Sequence, residues 1–176
     1  MMYRTTLPSP VGLLTLASDG QALTGLWLDG QKYFTAGLEP EAENRPDLPV
    51  FRQTSQWLEA YFKKAPLPVL PPLAPKGSPF RQAVWKLLLE IPYGETITYG
   101  ALAQALRDRG VSAAAQAVGG AVGHNPISIL IPCHRCVGSD GSLTGYAGGV
   151  EKKRALLELE GADLTGLFLP KKGTAL

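Results

Sequence analysis

A cysteine and a histidine stand side by side in residues 129–137, directly behind a short apolar run. A thiol attacks electrophiles only as the thiolate, and a neighbouring base or positive charge lowers its pKa. His134 follows Cys133 and can act as the base, and Arg135 adds the positive charge. The sequence therefore predicts a nucleophilic Cys133 with a lowered pKa, shielded from water by the apolar residues before it.

Simpler interpretations of Cys133 also exist. A cysteine in an apolar run is commonly buried and inert, and this alternative stays open. The spacing to Cys136 also allows a redox pair or half of a zinc site. A structural zinc ion would need every cysteine and histidine of the chain, which has two of each. A redox pair usually opens a helix after a strand, whereas a proline precedes this pair and a glycine-containing turn follows it.

Composition and charge describe an ordinary globular chain. Its 176 residues are 45% hydrophobic and 18% charged, enough to bury the core of one domain or of two small ones. No apolar run reaches membrane-spanning length and the N-terminus lacks a signal-peptide pattern, so we expect a cytoplasmic protein with no membrane partner. The net charge of +2 permits a nucleic-acid partner held by few phosphate contacts, although charge alone does not suggest one.

The first part of the chain has the pattern of a small sheet followed by a helix. Three β-prone runs, at residues 3–7, 12–17 and 22–28, predict an antiparallel meander. Apolar residues then recur at helical spacing over residues 50–63. Five prolines within residues 65–75 favour an extended spacer. We therefore place an N-terminal α/β domain at 1–65 and a proline-rich linker at 66–77.

The remaining residues, 78–176, are expected to form the C-terminal, mostly helical domain. Ser78 and Pro79 have the residue types of a helix start, and Thr98 is expected to cap a helix that runs to about residue 107. After a turn at 108–110, Ser112 is expected to cap a second helix over 113–122. This pair predicts a helix-turn-helix.

A strand-like stretch at 127–131 and a final helix at 150–160, followed by a loose tail, complete the pattern. The predicted fold class is α/β (α+β): a small N-terminal sheet-plus-helix domain, then a mostly helical C-terminal domain with a helix-turn-helix.

The second helix of the pair is rich in alanine and contains Gly119 and Gly120. Each glycine inside a helix costs about 1 kcal/mol relative to alanine, so something is expected to lie close to this backbone. A neighbouring helix and a nucleic-acid groove are both open alternatives.

Several motifs, in one order along the chain, resemble the O6-alkylguanine-DNA alkyltransferases, also called methylated-DNA–protein-cysteine methyltransferases. They are Ala-Val-Gly-Gly-Ala at 117–121, Asn-Pro at 125–126, Ile-Pro-Cys-His-Arg at 131–135 and Gly-Tyr-Ala-Gly-Gly at 145–149. The resemblance is strong over residues 78–161 and general before them. It implies single-use, direct repair of double-stranded DNA containing O6-alkylguanine, with an internal cysteine as acceptor. No cofactor and no metal are expected, and the protein is expected to be a monomer in solution.

The resemblance also assigns catalytic roles. Cys133 matches the alkyl acceptor, His134 the residue that takes its proton through a water, and Glu160 the carboxylate that orients the imidazole. Asn125 matches the residue that braces the turn before the cysteine. Tyr99 matches the tyrosine that crowds the target phosphate and hydrogen-bonds the flipped base.

Other positions match the surfaces that receive the DNA and the alkylated base. Tyr146 belongs to the wall on which the guanine packs, and Arg135 is interpreted as structural. The positions assigned to this substrate and DNA group are Gln116, Ala117, Gly119, Arg135, Tyr146, Ala147 and Gly148.

The sequence departs from the family pattern at three positions. Gln116 stands where the family usually has an arginine that fills the gap left by the flipped base, so flipping is expected to be less supported. Cys136 replaces a common valine and is interpreted as a packing residue. Ala147 stands where some members have a serine. The rival function, a protein of this fold that recognises alkylated DNA without transferring the group, is disfavoured because such relatives lack the cysteine.

Overall fold

A computed structural model describes residues 1–170 and divides the chain into two compact units. The first comprises Met1–Lys76 together with Pro126–Leu130, and the second comprises Gly77–Asn125 and residues 131–170. The predicted mixed fold class is confirmed, with a small sheet and a helix first and most helices afterwards. Within residues 1–170, no helix is long and apolar enough to cross a membrane.

The sheet of the first unit contains four strands in the order β3-β2-β1-β4. The strands are β1 (Tyr3–Leu7), β2 (Leu14–Ser18), β3 (Leu23–Leu28) and β4 (Glu43–Asn44). Strands β1, β2 and β3 pair antiparallel, which confirms the predicted meander. Strand β4 adds two residues parallel to β1, and it was not predicted because so short a run carries no periodicity.

Helix α1 (Pro49–Phe62) covers the predicted amphipathic stretch and supplies aromatic side chains to the core of the first unit. Proline at the first helical position suits this start, because its missing N–H would have no partner there. The rings of Trp57 and Tyr61 stack with centroids 5.3 Å apart. Both are buried, together with leucines of β2 and β3, in agreement with their interpretation as core residues.

The proline-rich stretch pairs with the sheet of the first unit. The Leu23 backbone N–H donates to Pro72 O at 2.8 Å, and the Ala74 N–H donates to Leu23 O at 2.8 Å. Extended proline-rich backbone retains its carbonyl acceptors, so it can pair at a sheet edge in this way.

Residues 126–130 pair with β3 at one point only. The Leu26 N–H donates to Pro126 O at 2.8 Å and the Ser128 N–H donates to Leu26 O at 3.0 Å. The strand predicted over 127–131 is wrong, because the bridge at Ile127 is isolated and Ile129 adopts φ +71°. That left-handed conformation turns the backbone away from a strand and is rare for a β-branched residue.

Four helices make up most of the second unit. They are α2 (Pro79–Leu88), α3 (Tyr99–Asp108), α4 (Ala115–Gly123) and α5 (Val150–Leu159). Two of the three predicted caps are confirmed: Ser78 Oγ accepts from the Arg81 N–H at 3.2 Å and Thr98 Oγ1 from the Ala101 N–H at 3.0 Å.

The second helix of the helix-turn-helix pair begins later than predicted. Ala114, not Ser112, is the N-cap residue of α4, and no side chain caps it. The preceding turn is held instead by Arg107, whose Nη1 donates to Ala113 O at 2.6 Å. This hydrogen bond satisfies a backbone acceptor outside the helix, so the chain enters the helix two residues later.

The C-terminal half of α4 packs in the core of the second unit. Val118, Ala121 and Val122 are buried, and the Trp85 Nε1–H of α2 donates to Ala121 O at 2.8 Å. Close helix packing therefore accounts for Ala121, whereas a Cβ at Gly120 would meet no atom within 4 Å, so packing does not explain that glycine. The first turn, containing Ala115, Gln116 and Ala117, is exposed.

A two-stranded parallel sheet brings the start of α3 beside the cysteine segment. Strand β5 (Ile97–Thr98) pairs with β6 (Cys136–Val137), with Ile97 opposite Cys136. Tyr99 directly follows β5, and a 3-10 turn (Cys133–Arg135) directly precedes β6. Because the two strands run parallel, Tyr99 and this turn lie at opposite ends of the small sheet.

The loose tail predicted after Gly161 is wrong for the residues that the structure describes. Ala162, Leu164, Leu167 and Leu169 pack against a buried cluster formed by Val137, Leu143 and Leu157. The backbone joins the same region, since the Leu143 N–H donates to Phe168 O at 2.9 Å. Residues 171–176, the end of the predicted tail, lie outside the described residues.

We expect Gly141→Ala to destabilise the protein by about 3 kcal/mol, because the new Cβ combines left-handed strain with a severe clash. Gly141 has φ +93° and its Cβ would lie 2.0 Å from Gly166 O. Gly110→Ala is the matched control, since Gly110 has φ +81° but open space around its Cβ. Urea unfolding of both variants measures the difference, and equal losses would contradict a clash at residue 141.

Candidate active site

Cys133 begins the 3-10 turn and is buried, with 3% of its surface exposed. The Asn125 side chain lies just beyond the C-terminal end of α4 and donates from Nδ2 to Cys133 Sγ at 3.2 Å. The same Nδ2 donates to Ile131 O at 2.8 Å. One amide therefore holds both the sulfur and the backbone two residues before it.

His134 and Glu160 form a fully buried pair beside the cysteine. His134 Nε2 lies 2.6 Å from Glu160 Oε2, and both side chains have no exposed surface. Because a carboxylate accepts hydrogen bonds, Nε2 carries the imidazole proton and Nδ1 is the basic nitrogen. Nδ1 is buried and makes no hydrogen bond to any of residues 1–170. The pair therefore presents a neutral imidazole whose free lone pair points into the interior.

Glu160 is neutralised by Arg135 and held by the turn that follows α2. Arg135 Nε and Nη2 donate to the two carboxylate oxygens at 2.8 and 3.0 Å, and the Gly94 N–H donates to Oε1 at 3.2 Å. Arg135 Nη1 also donates to Ile91 O at 2.6 Å. The guanidinium is thus fully engaged with Glu160 and the backbone, which agrees with its interpretation as structural.

The expectation of a lowered thiol pKa is wrong for the protein without substrate. Burial raises the pKa of the Cys133 thiol, because a thiolate is disfavoured away from water. The hydrogen bond from Asn125 and the ammonium of Lys153 act in the opposite direction but are weaker. Burial likewise lowers the pKa of His134, although its bond to Glu160 opposes this. The resting pair is therefore a neutral thiol and a neutral imidazole.

Two tyrosines border the site. The Tyr99 hydroxyl donates to Thr144 O at 3.0 Å, and burial raises the pKa of this phenol. Tyr99 therefore keeps its proton and is a hydrogen-bond donor. The Tyr146 ring is buried and meets the His134 ring edge-to-face with centroids 6.4 Å apart. Ala147 is half-buried and Gly148 is buried beside it.

The residues predicted to meet DNA are divided along α4. Gln116 and Ala117 lie exposed in its first turn, whereas Gly119 is buried in the helix. At 1.5 Å of rise per residue, Gln116 lies about 10 Å along the helix axis from Gly123, the last residue of α4, and Asn125 follows two residues later. One rigid element thus joins an exposed end to the amide that holds the cysteine.

Lys153 is the site residue that the sequence analysis missed. It lies on α5 with no exposed surface, and Nζ donates to Thr144 O at 2.9 Å. A lysine in a charged helix is normally assigned to the surface. The available signal was spacing, because Lys153 precedes the buried Leu156 and Leu157 by three and four residues and so shares their face.

Comparison with known proteins agrees with this site. Residues 79–162 match the model of the "6-O-methylguanine DNA methyltransferase, DNA binding domain", and residues 2–75 match that of the "6-O-methylguanine DNA methyltransferase, ribonuclease-like domain". The chain belongs to the 6-O-methylguanine DNA methyltransferase family. The segments with Cys133, Asn125 and Glu160 all lie within the first of these two matches.

Relatives in the methyltransferase family are similar over most of the chain. A methylated-DNA–protein-cysteine methyltransferase of Haemophilus influenzae is 45% identical over 160 residues, which are 90% of this chain and 86% of the relative. One of Mycobacterium tuberculosis is 46% identical over 170 residues, which are 94% of this chain and 98% of the relative.

Solved structures of the methyltransferase family share the fold. The crystal structure of Mycobacterium tuberculosis OGT in complex with DNA has a TM-score of 0.80 at 44% identity, covering 90% of this chain and 92% of that one. An O6-methylguanine DNA methyltransferase from Methanococcus jannaschii has a TM-score of 0.64 at 25% identity, covering 90% and 94% of the two chains.

We expect Glu160→Ala to destabilise the methyltransferase fold by about 3–5 kcal/mol, because it leaves the buried Arg135 charge without its partner. Glu158→Ala is the matched control, since Glu158 pairs with Arg154 at a surface where about half of each side chain is exposed. Its expected loss is below about 1 kcal/mol. Chemical denaturation of both variants tests this, and similar losses would show that the buried pair contributes no more than the exposed one.

Proposed function

We propose that this protein repairs double-stranded DNA containing O6-alkylguanine by moving the alkyl group to Cys133, acting as a monomer in the cytoplasm. The observation that carries this proposal is the buried chain of hydrogen bonds around one sulfur. Asn125 donates to Sγ, and the adjacent His134 is bound to Glu160. Membership of the methyltransferase family supplies the substrate class.

The first step is removal of the thiol proton. His134 Nδ1 is the basic nitrogen, because Nε2 is engaged with Glu160. Neighbouring residues tend to point apart along the backbone, so we infer that a water carries the proton from Sγ to Nδ1. The imidazolium that forms is stabilised by the Glu160 carboxylate, the role of the third group in such triads.

The second step is an in-line attack of Sγ on the alkyl carbon. The S–C bond forms while the bond from that carbon to guanine O6 breaks, and the electron pair leaves with the guanine. Guanine leaves readily only if it receives a hydrogen bond or a proton. Tyr99 is the proposed donor, and its hydroxyl would exchange Thr144 O for the base at this step. The product is a thioether without a reasonable leaving group, so each molecule acts once.

The target atom is buried in the duplex, so the nucleotide must rotate out of the stack at a cost of a few kcal/mol. We propose that α4 docks on the DNA through its exposed first turn, which contains Gln116 and Ala117. The extruded guanine would pack beside Tyr146, next to Ala147 and Gly148.

We expect incubation with a duplex carrying O6-methylguanine to add one methyl group to Cys133 and no second one. Mass spectrometry of the peptide that contains Cys133 measures the adduct. Cys136→Ala should still accept the methyl group, whereas Cys133→Ala should not. Intact, reduced protein that binds this duplex but carries no adduct would favour the non-transferring alternative.

We expect Gln116→Arg to raise the rate of methyl transfer, because arginine adds a charge and a larger side chain to fill the gap left by the rotated nucleotide. A few-fold gain on duplex DNA is expected. Transfer from the free base O6-benzylguanine provides the control, since no nucleotide has to leave a stack, and its rate should not change. An unchanged or slower rate on duplex DNA would show that glutamine is no deficit here.

A further inference from the structure

A buried lysine in the candidate site makes no ion pair with a carboxylate among residues 1–170. Lys153 has no exposed surface, and its Nζ donates a hydrogen bond to Thr144 O at 2.9 Å. Burying an ammonium group without a counter-charge is costly, and a role in packing alone would favour a neutral side chain. We therefore expect the partner of this ammonium to be a stabilising negative charge that forms near it only during the reaction.

The groups that face Lys153 indicate which partner this is. Nζ lies 5.8 Å from the centroid of the Tyr99 ring, and the Tyr99 hydroxyl donates to the same Thr144 carbonyl. Burial lowers the pKa of Lys153 to about 8, and negative charge on Cys136 or Cys133 opposes this. His134 is the remaining titratable group that Lys153 influences, since the ammonium lowers its pKa.

Of the two thiols, Cys133 is the one with hydrogen-bond donors that stabilise a thiolate. Sγ of Cys133 receives the Asn125 hydrogen bond, and backbone N–H groups also help to lower its pKa. No hydrogen-bond donor among residues 1–170 lowers the pKa of Cys136, and burial raises this pKa to about 12. A negative charge near Lys153 is therefore expected on Cys133.

Within residues 1–170, Lys153 is the cation that lowers the pKa of Cys133. The Arg135 charge is already bound to both oxygens of Glu160. When the thiol proton moves to His134, Glu160 stabilises the new imidazolium and cannot stabilise the sulfur. The thiolate is then left with Asn125, the backbone and the Lys153 ammonium.

We propose that Lys153 is a positioning residue whose ammonium, fixed on the Thr144 carbonyl, stabilises the Cys133 thiolate during alkyl transfer. This inference rests on the function proposed above. Lys153 keeps its three protons throughout, while one proton moves from Sγ to His134 and the electron pair of the broken C–O bond leaves with guanine. Through the carbonyl that they share, Lys153 also fixes the position of the Tyr99 hydroxyl.

The test compares Lys153→Met and Lys153→Gln, which remove the charge, with Lys153→Arg, which keeps it. Lys152→Met is the matched control, because it makes the same charge change one residue away on a half-buried side chain. The rate of Cys133 labelling by iodoacetamide is measured against pH on the full chain without DNA. The rate of methyl transfer from duplex DNA is measured over the same pH range.

Loss of the cation should raise the apparent pKa of Cys133, so less thiolate is present at neutral pH. We expect both neutral variants to be labelled about tenfold more slowly at neutral pH and to recover at high pH, as an increase of one in the pKa implies. Methyl transfer should slow in parallel. Lys153→Arg should retain most of the wild-type rate, and Lys152→Met should match the wild type.

Two outcomes would overturn the role of Lys153. One is an unchanged pH midpoint of labelling in both neutral variants, and the other is a rate that falls equally at every pH. The proposed transfer is tested separately. A wild-type protein that shows the lysine-dependent midpoint but takes no methyl group from DNA would contradict the repair function and leave the coupling between lysine and thiolate supported.

Discussion

The structure of the site depends on one buried carboxylate. Glu160 lies at the C-terminal end of α5 and accepts hydrogen bonds from His134, Arg135 and the Gly94 backbone. These donors come from the cysteine segment and from the turn after α2, so a single group joins three parts of the second unit. Because the carboxylate fixes His134 Nε2 as the protonated nitrogen, it also decides which nitrogen can take the proton of Cys133.

A neutral thiol and a neutral imidazole suit a protein that can react only once. A permanent thiolate would react with any electrophile that reached it and would consume the protein without repair. Here burial raises the pKa of Cys133, and the ion pair forms only when a proton moves. The buried side chains of Glu160 and Lys153 are already held by hydrogen bonds before that step. Such preorganised charges stabilise the transition state without rearrangement.

Much of the fold could be predicted because its signals are local. Ser78 and Thr98 cap their helices as expected, because a hydroxyl oxygen just before a helix can accept from an unpaired backbone N–H of its first turn. The site could be predicted from its motifs, and the structure brings Cys133, His134, Asn125 and Glu160 together. The failures arise from tertiary contacts. The apolar run at 127–131 has the composition of a strand, but Ile129 turns it, and Lys153 belongs to a face that only its helical spacing reveals.

The assignment of Pro126–Leu130 to the first unit limits how this polypeptide can be divided. The chain leaves the second unit after Asn125 and returns to it at Ile131. A fragment that ends at Lys76 keeps β3 but loses the pairing of Leu26 with Pro126 and Ser128. A fragment that begins at Gly77 carries the same five residues, with Ile127, Ile129 and Leu130 deprived of the neighbours that bury them. Dividing the chain between Lys76 and Gly77 would therefore separate Pro126–Leu130 from the rest of the first unit. This holds even though the two matched family domains lie one after the other in sequence.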